Sequence, residues 1–362
     1  MIINMRIGIV TLFGNFNYGN RLQNYALHTV LSQMGHDVDT LVTLEKSSAL
    51  KSIFHKYFEK ENGAIRFRTK KERGRDAAFS KFTDSLIPTR IISTNGSGIS
   101  SQLNDEYDYF VVGSDQVWNP LWWGDSLECR CANDYLLQFA DANKRVAYSA
   151  SFGLASLPEN WASSFKEALE CYSDISVRED AGARIVEELT GRKVPVTLDP
   201  TMLLTANQWR KIEKPVACKQ KYVFQFNLGE QSDAQVKLTA ELKSLGYEII
   251  DYMNPNCRYF GGDPSDFLSY IDKADCVLTD SFHASVFSIL FKRPFVVFDR
   301  KHANGSNMNS RINTLLQMCG LEERWGISDA TNALNCDYSG IDRAIDIRRA
   351  YSNSYLLDAL SR

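Results

Sequence analysis

What most constrains the fold is an alternation that runs through nearly the whole chain. Short β-rich apolar runs are followed, again and again, by helical patterns. Residues 7–12 read as a strand and 20–34 as a helix, which Gly35 stops. Residues 38–44, 109–112, 146–149, 175–178 and 194–198 read as further strands, with helices over 160–172 and 181–189. A second series follows the polar stretch 207–220. Its strands are 222–226, 247–252, 276–279 and 295–298, and its helices are 234–245, 265–273, the run ending at Phe291, and 309–318. Such alternation builds parallel sheets with crossover helices. At 362 residues the chain is too long for one ordinary core. Two doubly wound, Rossmann-like α/β domains are expected. The first covers 1–205, with a helical insertion at about 45–105, and the second covers 220–330. A helical tail at 331–362 follows. Two such domains in tandem leave a cleft between them.

Composition excludes several classes. Hydrophobic residues at 44% and charged residues at 23% fit a soluble globular protein. A net charge of −3 offers no global attraction to nucleic acid or an anionic membrane. The eight cysteines form no CxxC pair, and Cys129-Arg-Cys131 is too tight for zinc. Reduced thiols in a cytoplasmic protein, with no metal and no cofactor, are the expectation. Residues 6–10 read as a first strand rather than a signal peptide. No apolar run approaches the ~20 residues of a membrane helix. Residues 51–75 hold nine Lys or Arg against three Glu. They are either a solvated helical insertion or a basic arm, the one candidate for peripheral membrane contact.

The chemistry-bearing residues sit where strands end. In CVLTDSFHASVF, residues 276–287, a strand passes through Asp280-Ser281 into a helix with His283 in its first turn. Ligands of open α/β sheets bind beyond the carboxyl ends of strands, and a helix N-terminus favours anions. A histidine there can pass protons near neutral pH. Near the N-terminus, Asn17-Tyr18-Gly19-Asn20 and Gln23 follow the first strand. The spacing is not GxGxxG, so no dinucleotide is implied. Gly113-Ser114-Asp115-Gln116 repeats the design, with Trp118 close behind. Asp115 either accepts from a sugar hydroxyl or caps a turn. Arg178 ends another strand, suited to gripping a carboxylate or phosphate, or else to a salt bridge with Glu179 or Asp199. Arg300, Lys301 and Arg311 form a basic group downstream of His283. Pro120, Trp122, Trp123 and Tyr135 lie in a loop setting, where they either stack on sugars or plug a sheet edge.

Taken together, NYGNRLQNYAL, VVGSDQVWN, SVRED with LDPT, TDSFHASVFSILFKRPFV and SRINTLL resemble the polysaccharide pyruvyl transferase family, in order and spacing. The resemblance implies a GT-B-like pair of domains. It also implies transfer of the enolpyruvyl unit of phosphoenolpyruvate to a sugar as a cyclic ketal, in exopolysaccharide or cell-surface glycan synthesis. His283 matches the family's histidine and Arg178 the arginine of its SxR element; Lys301 matches more loosely. On this reading His283 handles protons, while Arg178, Lys301, Ser281, Arg311 and Arg300 bind the donor. Asn17, Tyr18, Gly19, Asn20, Gln23, Ser114, Asp115, Gln116 and Trp118 line the acceptor side or the cleft. The partners implied are phosphoenolpyruvate and a sugar on a lipid-linked or polymeric glycan. The chain departs from the family at Ser281, where several members carry arginine. Either Arg311 or Arg300 replaces that cation, or the donor pose differs. The competing readings are a nucleotide-sugar-dependent GT-B glycosyltransferase and a catalytically silent glycan- or anion-binding protein.

Overall fold

The computed structural model describes residues 4–14, 17–45, 57–61, 64–94, 98–123, 130–300 and 309–361. Asn15, Lys301, His302, Cys129 and part of the basic segment 51–75 lie outside them. The first sheet has six strands: β1 (Arg6–Val10), β2 (Asp37–Glu45), β5 (Thr89–Thr94), β6 (Tyr109–Val112), β7 (Arg145–Ala150) and β8 (Asp174–Val177). Their order is β5-β2-β1-β6-β7-β8, and every neighbouring pair is parallel. The second sheet has β9 (Tyr222–Phe226), β10 (Glu248–Asp251), β11 (Cys276–Thr279) and β12 (Phe295–Val297), ordered β10-β9-β11-β12 and also parallel. The strands are short and largely buried on both faces, as helix-covered parallel strands are. In each sheet the chain first builds outward on one side of its opening strand and then crosses to the other. The crossing points lie between β1 and β6, and between β9 and β11. A doubly wound sheet opens its crevice at such a point.

The two sheets share one core. The helix Tyr18–Gln33, after β1, lays Tyr18 flat on Phe267 of the helix Pro264–Asp272, with centroids 4.9 Å apart and planes at 12°. Phe267 in turn meets Phe224, Phe226, Tyr252 and Phe287. One continuous buried cluster therefore runs from Ile7 and Ile9 through Tyr18 to Phe224, Phe267 and Leu356. The last helix, Ile341–Ala359, returns to the first half of the chain. There Leu198 N donates to Ser352 Oγ (3.0 Å), Tyr355 Oη to Ala147 O (2.9 Å) and Arg349 Nε to Met202 O (2.9 Å).

Three sequence readings change. Residues 194–198 form no strand; a single bridge joins Val177 and Val196, with Val177 N on Pro195 O and Thr197 N on Val177 O. Pro195 has no N–H to extend the ladder. The region 45–105 is helical only in part. Thr69 and Glu72 form a capping box that starts the helix Lys70–Leu86, but Thr89–Thr94 is the edge strand β5. Its Ile91 faces solvent at 64% exposure, so the run lacks the two-sided apolar signal of the inner strands. Phe58–Glu61 (β3) and Ala64–Phe67 (β4) make a separate antiparallel hairpin. Several described cations of segment 51–75 are engaged: Arg66 with Glu72, Arg68 with Asp76, and Lys71 with the Pro255 and Cys257 carbonyls. Among the described residues no helix is long and apolar enough to cross a membrane.

Phe267 carries the shared core, so Phe267→Ala is expected to cost about 3–5 kcal/mol. Urea unfolding with probes in each half would show both halves losing stability together. Loss confined to the second half would mean that the halves are not coupled through this ring.

Candidate functional site at the junction of the two sheets

The carboxyl ends of both sheets meet at one buried cluster. Gly113 follows β6 with φ +122; a Cβ there would lie 2.2 Å from Tyr148 O, so the turn needs glycine. The turn presents Ser114 and Asp115. Gln23 Oε1 accepts from Ser114 N (3.0 Å), and Gln23 Nε2 donates to Thr11 Oγ1 (2.9 Å), so Gln23 splices this turn to the end of β1. Asp115 sits in the left-handed region (φ 64), which Asp tolerates better than most residues. Its carboxylate accepts from Gln116 N (2.9 Å) and Asn20 Nδ2 (3.2 Å). Asn17 caps the Tyr18 helix through Asn20 N (3.1 Å).

Asp199 is the hub. Its Oδ1 accepts from Thr201 N (3.0 Å) and Thr201 Oγ1 (2.7 Å). Its Oδ2 accepts from Arg178 Nη1 at 2.8 Å and lies 2.9 Å from Ser114 Oγ and 3.6 Å from His283 Nε2. Burial alone would raise its carboxyl. The charges of His283 and Arg178 outweigh that and hold it far below the ordinary carboxylate range. Arg178 also lies 3.6 Å from Asp115 and 3.9 Å from Glu179, and its guanidinium covers the Phe282 ring at 4.5 Å. Burial works against its charge, but Asp199, Asp115 and Glu179 keep it raised. Asp115 is likewise pushed up by burial and brought below its usual range by Arg178, His283 and Arg311.

His283 comes from the second sheet. It is buried in the first turn of the helix Phe282–Leu290. A Cβ on Gly19 would lie 2.1 Å from its Nδ1, so the glycine lets the imidazole dock against the opposite helix. Its Nε2 has no hydrogen-bond partner. Arg311, from the helix Ser310–Cys319, completes the cluster; turned to face it, the Gln116 amide oxygen accepts from Nη1 and Nη2 at 2.8 and 3.0 Å. Burial, with Arg178 nearby, lowers Arg311 to about 9, so it stays protonated at neutral pH. Arg178 Nε and Nη2 and Arg311 Nε are buried without partners. A cavity of about 240 Å³ opens on Arg178, Asp199, Phe282 and Arg311.

The sequence-derived residues therefore divide. Arg178, His283, Arg311, Asp115, Asn20, Ser114 and Gln116 converge, with Gly19 and Gln23 shaping the cluster. Arg300 does not join as a free cation: its Nε lies 3.3 Å from Asp280 Oδ2 and its Nη2 donates to Asp280 O (3.1 Å). Asp280 itself clamps Leu228 N and Gly229 N. Ser281 is the helix N-cap without a side-chain cap bond. Tyr18 is core, its hydroxyl on Gly262 O (3.1 Å). Trp118 is fully buried, with Nε1 on Tyr135 O (3.0 Å). Trp123 stacks on Phe165, while Trp122 is exposed. Asp199, Thr201 and Arg21 were missed as site residues. Asp199-Pro200 carries the same signal as the other sites, a polar residue ending an apolar run. Arg21 is buried between Leu12 O and Asn20 Oδ1, a setting that helix periodicity conceals.

The two doubly wound parallel sheets define an α/β protein of two Rossmann-like domains in a GT-B-like arrangement, with a buried charged cluster where their carboxyl ends meet. Residues 17–302 match the polysaccharide pyruvyl transferase family, and the chain belongs to that family, a family of transferases. No curated protein matches the sequence significantly. Among solved structures it is similar to the UDP-N-acetylglucosamine 2-epimerase of Rickettsia bellii, at 10% identity over 99% of this chain and 96% of that one, TM-score 0.48. It is also similar to the UDP-GlcNAc 2-epimerase of Neisseria meningitidis, at 12% identity over 98% and 100%, TM-score 0.43. A glycosyltransferase of Rickettsia africae gives 9% identity over 99% and 94%, TM-score 0.45. The fold class rests on the chain's own two sheets.

Because the Asp199 pKa is depressed in the folded state, its stabilisation is present above the unfolded value of about 4 and is lost as pH falls through the folded value. Asp199→Asn strands the Arg178 charge and is expected to cost roughly 3–5 kcal/mol near pH 7. The gap between wild type and variant in denaturant titrations should narrow below pH 4. A gap that stays constant down to pH 2 would refute the coupling.

Proposed function

We propose that the protein transfers the enolpyruvyl unit of phosphoenolpyruvate to two hydroxyls of a sugar, forming a pyruvate ketal on a lipid-linked or polymeric cell-surface glycan. The observation that carries the reading is the meeting of His283 and Arg178 on one buried carboxylate, with Arg311 beside them. The donor is a trianion, and Arg178 and Arg311 offer buried, unpartnered N–H groups to its carboxylate and phosphate. The reaction needs a proton on the terminal enol carbon, which leaves an oxocarbenium-like centre at the carbon bearing phosphate. One sugar hydroxyl adds there and loses its proton. Phosphate then leaves as the second hydroxyl closes the ring and gives up its own proton, which departs with the phosphate. One hydroxyl proton replaces the one taken up by carbon.

His283 is the group placed to supply and recover that proton. Its Nε2 is 3.6 Å from Asp199 and has no hydrogen-bond partner, so that nitrogen is open to proton exchange. Gly19 fixes the ring from behind. Asp115 and Asn20, on the first domain's face of the cluster, are placed to meet sugar hydroxyls. Lys301 lies outside the described residues, and its donor contact is part of the proposal on sequence grounds.

His283→Ala should abolish phosphate release from phosphoenolpyruvate in the presence of acceptor glycans, with circular dichroism and thermal unfolding close to wild type. Turnover near the wild-type rate in that variant would remove His283 from the chemistry.

A further inference from the structure

The C-terminal helix Ile341–Ala359, which carries none of the cluster described above, contributes Arg348 to the lining of the cavity beside Asp199. Its floor is Arg178 and Arg311, and its walls include the apolar side chains of Leu198, Met202, Phe282 and Leu315. Arg348 stands at its mouth, exposed and without an ion pair among the described residues. The neighbouring Arg349 bonds Met202 O, and Ser352 accepts from Leu198 N, so the helix that carries Arg348 is fixed to the cavity wall. Asp180 also lines the mouth, with its carboxylate accepting from Thr314 Oγ1 at 3.2 Å. On the floor, Asp199 is already matched by Arg178. Arg178 Nε and Nη2 and Arg311 Nε remain without hydrogen bonds, although Arg178 is also ion-paired and Arg311 bonds Gln116 through its other nitrogens.

Buried N–H groups without acceptors carry a desolvation cost, which an anion in the cavity would offset. An apolar wall over a cationic floor suits a small organic anion rather than a bare ion. We propose that this cavity is the pocket for a phosphate-bearing carboxylate, entered past the C-terminal helix. Arg348 acts as a third cation that selects the phosphorylated donor over its unphosphorylated keto acid. This rests on the donor assignment made above. It adds a binding residue from the tail and a direction of approach separate from the sugar's.

Isothermal titration calorimetry with phosphoenolpyruvate, inorganic phosphate and pyruvate tests it on the full chain. The variants are Arg348→Gln and Arg343→Gln, the latter an exposed arginine of the same helix outside the cavity. Arg348→Gln is expected to weaken phosphoenolpyruvate and phosphate by about tenfold, the loss of one charge-assisted hydrogen bond. It should raise KM for the donor with kcat little changed and leave pyruvate binding unaltered. Arg343→Gln should match wild type in every titration. Equal affinities for wild type and Arg348→Gln, or no phosphate binding by wild type, would overturn the pocket. Phosphate binding that depends on Arg348, in a protein that never releases phosphate from phosphoenolpyruvate, would uphold an anion pocket and overturn the donor assignment. Turnover with an unchanged donor KM in Arg348→Gln would do the reverse.

Discussion

One buried carboxylate holds the junction together. Asp199 belongs to a segment that forms no regular strand, yet it takes hydrogen bonds from Thr201 and Arg178, lies against Ser114 Oγ, and meets His283 from the other sheet. In a region this dry, none of these charges is tolerable alone. Arg178 needs Asp199 and Asp115, and both carboxylates need the cations to stay ionised. The cluster is therefore an all-or-none arrangement, and it spans both domains. His283 meets that carboxylate only because the second sheet brings its helix to the first.

The fold supplies that precision through packing remote from the chemistry. Tyr18 on Phe267 sets the distance between the helix after β1 and the second domain. One residue later, Gly19 leaves the room that the His283 ring fills. The C-terminal helix approaches from the opposite side and ties Leu198 and Met202, the residues bracketing Asp199. A segment without a ladder of its own is thus positioned by neighbours on both flanks. A rigid site on an irregular segment requires such outside support.

Much of this could be read from the sequence, and the reasons differ by residue. Strands buried on both faces, such as Tyr109–Val112, Tyr222–Phe226 and Cys276–Thr279, announce themselves as largely apolar runs and appear with the expected bounds. The half-exposed edge strand Thr89–Thr94 does not, because burial on one side only leaves Ile91 in water. Strand ends with polar residues located Arg178, Ser114, Asp115 and His283. The same rule applies to Asp199, which follows the apolar run 194–198. Distance along the chain hid the rest. Nothing local tells Tyr18 or Trp118 that a core will form around it, or sets Arg300 against Asp280 while Arg311 turns inward. Those choices depend on which charges meet after folding.

Asp199 couples Arg178 to His283 across the two domains. The most direct test is a double-mutant cycle of Arg178→Gln and His283→Gln in urea unfolding, run in the wild-type and Asp199→Asn backgrounds. The expected coupling is roughly 0.5–3 kcal/mol in the wild-type background and none once Asp199 is neutral. Additive effects in the wild type, or a coupling that persists in Asp199→Asn, would contradict it.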